Sequence, residues 1–119
     1  MESQFTSKLI RVLRRAMPSA WICKHSNSYT AGVPDFSITF KDATTWWEVK
    51  TTAPLTKLQA ATLERIGKTA FILRWGSVMW LLFDNFGNTI CTGEGFDSLV
   101  VRIMMLCEEN SGIHFKVNP

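Results

Sequence analysis

Gly32-Val33-Pro34-Asp35-Phe36-Ser37-Ile38-Thr39-Phe40, then Lys41-Asp42-Ala43-Thr44-Thr45, then Trp46-Trp47-Glu48-Val49-Lys50, runs without a break through the first half of the chain. Polar and apolar residues alternate across 34–41 and 45–51, so these segments read as two strands of a hairpin. A turn at Asp42-Ala43 sets Phe36 opposite Val49 and Ile38 opposite Trp47, on one side of a sheet. It sets Asp35 opposite Lys50 and Ser37 opposite Glu48 on the other side. Asp35 and Glu48 then become diagonal neighbours, about 7–8 Å apart or less. A slip by one residue would put both acids among the aromatics, which burial resists.

Two carboxylates this close repel, and one pKa should rise unless a cation neutralises them. An all-oxygen site that keeps waters suits Mg²⁺ or Mn²⁺. A lysine beside it can orient a water or hold a phosphate. A single acid-x-lysine triplet is common and most often marks a solvated hairpin. The joint pattern is more specific: a Gly-Val-Pro-Asp entry to one strand and a Glu-Val-Lys exit directly after the aromatic pair of its partner.

Working outward, Phe5, Leu9, Val12, Leu13 and Ala16 recur at helical spacing and predict a helix over residues 2–17. Lys8, Arg11 and Arg15 share another face of it. Residues 20–24 read as a short strand and 25–33 as a loop. Thr56-Lys57-Leu58-Gln59 fits a capping box that opens a helix ending near Ile66, with Gly67 as its stop. Strands are expected at 69–75, 78–83 and 89–92, with a tight turn at Gly76-Ser77. The last helix, over 96–109, carries the stripe Phe96, Leu99, Val100, Ile103 and Cys107. Helices and strands in this order predict one α/β domain over residues 1–119, a central mixed sheet flanked by helices.

Composition and charge narrow the function classes. The 119 residues are 46% hydrophobic and 19% charged, the balance of an ordinary globular chain that can bury a core. No apolar run is long enough to span a bilayer, and no membrane partner is expected. Lys8, Arg11, Arg14 and Arg15 interrupt the N-terminal apolar residues, which does not fit a secretory signal. Cys23, Cys91 and Cys107 match neither a zinc spacing nor a disulfide framework, so a reducing, cytoplasmic setting is expected. The net charge is +3, with the basic excess confined to the first 30 residues. A polyanion would meet that end, although a solvated helix face also accounts for the charge.

At Gly32-Val33-Pro34-Asp35, Glu48-Val49-Lys50 and Thr56-Lys57-Leu58-Gln59 the chain resembles the restriction-endonuclease-like superfamily, with its proline-aspartate and Glu-x-Lys signature. Within it, the small virus-type replication-repair nuclease domains and the archaeal-type Holliday junction resolvases are most similar. The order of elements to about residue 75 also fits, whereas residues 76–119 carry no matching motif. The resemblance implies a restriction-endonuclease-like core and a Mg²⁺- or Mn²⁺-dependent DNA endonuclease, with branched DNA among its expected substrates. It implies metal ligation by Asp35, Glu48 and the Val49 carbonyl, with Glu2 as the candidate first-helix acid; an exposed first-turn acid is the equal alternative. Lys50 would assist the water, and Gln59 would match the family's glutamine after the motif, although its place in the capping box needs no catalysis. Such nucleases commonly pair as homodimers and occur in viruses and mobile elements.

DNA contacts are expected from Lys8, Arg11 and Arg15, through backbone phosphates, and from His25 and Ser26 in the loop before the motif. A lone histidine is more often structural. Trp47 is expected in the core; Trp46, on the polar side, could meet a helix, a second subunit or a base. Two other readings stay open: a non-catalytic DNA-binding or assembly module on the same fold, and an unrelated α/β interaction domain.

Overall fold

The computed structural model describes residues 2–25 and 32–111, and of Glu2 only its place in the helix. The chain runs α1 (Glu2–Ala16), β1 (Trp21–Lys24), β2 (Phe36–Phe40), β3 (Ala43–Lys50), α2 (Lys57–Ile66), β4 (Ala70–Gly76), β5 (Met79–Phe83), β6 (Thr89–Glu94) and α3 (Phe96–Ser111). The six strands form one mixed sheet in sequential order. Only β3 and β4 are parallel, and α2 is the crossover between them. Among the described residues no helix is long and apolar enough to cross a membrane.

Alternation decides what each sheet face meets. Phe36, Ile38, Trp47, Val49, Phe71, Leu73 and Leu82 point to one face and are buried. There they join Leu9, Ile10 and Leu13 of α1 and Leu99, Val100, Ile103 and Cys107 of α3 in the main core. Ala16, expected on the apolar stripe of α1, is exposed. A smaller cluster on the opposite face packs Leu63 of α2 against Ala70 and Ile72, with Trp46 and Phe83 at its border. Trp46 therefore borders the cluster that α2 helps to form, while Trp47 is a fully buried core residue.

The register of the β2–β3 hairpin differs from the expectation by two residues. Phe36 pairs with Trp47, Ser37 with Trp46, Ile38 with Thr45, and Phe40 with Ala43. The turn is thus Lys41-Asp42, with Lys41 in the left-handed region at φ 57°, rather than Asp42-Ala43. Alanine gains nothing from a turn position that the polar Lys41-Asp42 pair can fill in water. The chosen register also brings the Thr39 and Thr44 hydroxyls within 2.8 Å of each other. A shift of two keeps every side chain on its expected face, so the partition into apolar and polar sides holds although the partners change. The same kind of shift occurs between β4 and β5: Gly76 pairs with Met79, so the turn is Ser77-Val78, not Gly76-Ser77.

Candidate functional site

The hairpin ladder stops at Phe36, one residue short of Asp35. Continued, its register would set Pro34 opposite Val49 and Asp35 opposite Glu48, directly rather than diagonally. Proline has no N–H to give a ladder. Asp35 takes over part of that role: its Oδ2 accepts from the Val49 N–H at 2.7 Å. Its own carbonyl accepts from the His25 N–H at 2.8 Å, which ties it to the end of β1. Backbone on one side and carboxylate on the other are both fixed, so Asp35 is held firmly at the mouth of the hairpin.

The same geometry bears on the Val49 carbonyl. In an antiparallel ladder a residue's N–H and C=O point to the same lateral side. The Val49 N–H points towards Asp35, so its carbonyl faces that side as well, and Pro34 cannot donate to it. Glycine at the start of the motif has its own reason. Gly32 sits at φ 88°, and a Cβ there would come within 2.6 Å of Leu58 Cγ on α2. Its absence lets the loop before Asp35 lie against that helix.

Glu48 and Lys50 share the α2 face of the sheet with Trp46 and the small apolar cluster. Both are nearly out of solvent, at 3% and 8% exposure. Ionised side chains that deep need partners. One partner comes from α2: Gln59 Nε2 donates to Glu48 Oε2 at 3.1 Å. Gln59 also completes the capping box. Its backbone N–H donates to Thr56 Oγ1 at 3.1 Å, and its Oε1 accepts from the Thr56 N–H at 2.9 Å. The two expected roles of Gln59, cap and site residue, coexist in one side chain.

Arg74 belongs to this set and was missed in the sequence. It is the β4 partner of Lys50 in the parallel ladder, on the same face. Its Nη1 donates to the Ala53 carbonyl at 2.9 Å, across the loop that leads into α2. Its signal was the alternation Ile72, Arg74 against Leu73, Trp75, one cation at a sheet-face position level with Lys50.

His25 follows β1 directly, and its backbone N–H is the donor to the Asp35 carbonyl. Its ring stacks on Trp46, with centroids 5.4 Å apart, and its Nε2 lies 2.9 Å from the Ser37 hydroxyl. Both partners are protein groups, as expected of a structural histidine. Ser26 lies outside the described residues, and so does the Glu2 side chain. The first turn of α1 does reach this end of the sheet: Phe5 stacks on Trp75 at 4.6 Å, next to Arg74 in sequence.

Lys8, Arg11 and Arg15 are exposed on α1, which packs against the face opposite Glu48. Lys8 Nζ stands 4.7 Å from the centre of the Phe96 ring. The structure therefore places Glu48, Lys50 and Gln59 on one side of the sheet with Asp35 at its rim, ties His25 to the Asp35 backbone, and leaves the basic stripe of α1 on the other side. Among the described residues no three His, Cys, Asp or Glu side chains cluster; the site offers two carboxylates and a backbone carbonyl. No family model and no curated protein matches the chain.

Proposed function

We propose that this chain is a metal-dependent endonuclease that hydrolyses DNA phosphodiester bonds, built on a restriction-endonuclease-like core. The observation that carries this reading is the junction of Pro34, Asp35, Glu48 and Val49 at the open end of the hairpin. A proline that ends the ladder, a carboxylate fixed by the Val49 N–H and a second, buried carboxylate on the neighbouring Glu48 make an all-oxygen donor set. That set fits Mg²⁺ or Mn²⁺. The order of helix, three antiparallel strands, crossover helix and parallel strand is the one the resemblance leads one to expect.

Asp35, Glu48 and the Val49 carbonyl would hold the cation, with Glu2 as a further ligand from α1. When bound, it supplies Lewis acidity and positive charge beside the phosphate. Lys50, almost out of solvent on the same face, orients the attacking water and lowers the cost of negative charge on the phosphate oxygens. Arg74 adds a second cation level with Lys50, with the planar donor geometry that suits phosphate oxygens. Gln59 holds the Glu48 carboxylate in one orientation. In the reaction the water oxygen bonds to phosphorus as a phosphorus–oxygen ester bond breaks, the water gives up a proton, and the leaving alkoxide takes one up. Branched DNA is among the substrates this reading covers, and a homodimer would present two such sites to it.

Incubation with linear, nicked, flap and four-way DNA, in Mg²⁺, Mn²⁺ or chelator, tests the reading. Metal-dependent cleavage that Glu48→Ala abolishes supports it. Retained DNA binding without cleavage under any condition would leave a non-catalytic DNA-binding module in its place.

A further inference from the structure

Trp21 is the most exposed large apolar side chain among the described residues, at 73%. It lies on β1, the edge strand of the sheet. It pairs with Thr39, and two residues on Cys23 pairs with Ser37. Trp21, Cys23 and His25 therefore share the face that carries Asp35 and Trp46. From Trp21 to His25 is about 13 Å along the strand, close to four nucleotides at the stacked spacing of ~3.4 Å.

The indole borders an open cleft of about 580 Å³, whose wall among the described residues includes Arg14, Cys23 and Lys24 and no acid; Lys24 alternates to the α1 face, where its Nζ donates to Ser7 Oγ at 2.8 Å. Arg14 Nη2 donates to the Ile22 carbonyl at 2.9 Å, on the outer edge of β1. A guanidinium seated there obstructs pairing with a strand from another chain, while four N–H donors of the fork remain beyond that bond. An exposed indole with the Arg14 guanidinium at the strand edge, and no carboxylate among the described residues of the wall, suits a single-stranded polynucleotide: a base stacks on the ring, and a phosphate meets the guanidinium.

We infer that the Trp21 edge is a second nucleic-acid contact, which takes an unpaired strand and leads it along the Cys23–His25 side of the sheet towards Asp35. This surface goes beyond the cleavage reading and can be tested without cleavage. Labelled oligothymidine and oligouridine of roughly 12 nucleotides, and a duplex of equal length, would be titrated by fluorescence anisotropy. Chelator is present throughout, with wild type, Trp21→Phe and Trp21→Ala compared. The two single strands distinguish DNA from RNA.

Trp21→Ala should weaken single-strand binding by about 5- to 150-fold, the range of one lost base–aromatic stack. Trp21→Phe should stay near wild type, and the duplex should depend little on position 21. Bound oligonucleotide should also protect Cys23 from alkylation, read by peptide mass spectrometry. Equal binding by wild type and Trp21→Ala, or Cys23 labelling that bound strand leaves unchanged, overturns the inference. So does a Trp21→Ala variant that alters sedimentation but not binding, which would give the patch to a second copy of the chain. A protein that cleaves nothing yet binds through Trp21 upholds this inference while the endonuclease reading falls. One that cleaves while binding ignores Trp21 does the reverse.

Discussion

Gln59 ties helix α2 to Glu48: its amide nitrogen donates to the buried carboxylate at 3.1 Å while its amide oxygen closes the helix cap at Thr56. One side chain thus sets both where the helix begins and how the acid is turned. The pair separates experimentally. Thr56→Ala removes the cap alone and should cost about 1 kcal/mol of stability, with cleavage close to wild type. Gln59→Ala should cost a similar amount and also lower cleavage, because Glu48 loses its positioning donor. Denaturant midpoints beside cleavage rates check both.

Asp35 has a structural role and, on the endonuclease reading, a chemical one, and Asp35→Asn divides them. The asparagine oxygen can still accept from the Val49 N–H, so stability should change little, whereas a neutral amide is a poor ligand for a divalent cation. Asp35→Ala should in addition leave that N–H without its acceptor and cost about 1–3 kcal/mol. Thermal unfolding and Mn²⁺ titration calorimetry on the two variants separate the effects.

Pro34→Ala restores an N–H opposite Val49 in the observed register. The ladder can then extend two residues beyond the Phe36–Trp47 pair, with the new N–H at position 34 donating to the Val49 carbonyl. The expected outcome is slower amide exchange at the start of β2 and weaker divalent-cation binding. Unchanged cation affinity in a variant with an extended ladder would remove Val49 from the donor set.

Arg74→Ala should lower cleavage by roughly 10- to 100-fold, the weight of one charge-assisted hydrogen bond of about 1.5–3 kcal/mol. Arg74→Lys should recover only part, since the ammonium lacks the planar fork. Single-turnover rates at saturating substrate check this.

Cys107 lies in the main core, beside Thr45 at 3.7 Å. Burial pushes its thiol up to about 11 from 9.0; the hydrogen bond to Thr45 opposes the rise and the Glu108 charge adds to it. The unfolded chain therefore loses this proton at lower pH than the folded one. The stability linked to Cys107 is fully present below pH 9.0 and falls as pH rises towards 11. Chemical denaturation across that range should show the decline, and Cys107→Ala should flatten it.

Much of this was legible from alternation alone. Phe36, Ile38, Trp47 and Val49 are all fully buried on one face, and Glu48 and Lys50 lie on the other. Face assignment depends only on parity, which a shift of two residues preserves. The register itself was not legible, because it turned on which two of three adjacent turn residues leave the ladder and on the Thr39–Thr44 hydroxyl contact, neither of which hydrophobic patterning encodes. The capping box was readable at Thr56 and Gln59, but its link to Glu48 needed the three-dimensional position of α2. Arg74 escaped notice because its meaning comes from a parallel neighbour 24 positions earlier. Helical spacing sets Lys8, Arg11 and Arg15 on one face, and they are exposed, yet spacing along one helix cannot show which face of the sheet the helix covers.

The most direct test of the central claim is cleavage of end-labelled linear and four-way DNA in Mn²⁺ by wild type and Glu48→Gln, prepared side by side and matched by circular dichroism. The geometry predicts cleavage by wild type that chelator stops, and none by the folded Glu48→Gln variant. Equal cleavage by the two proteins, or none by wild type on either DNA in Mn²⁺ or Mg²⁺, would contradict it.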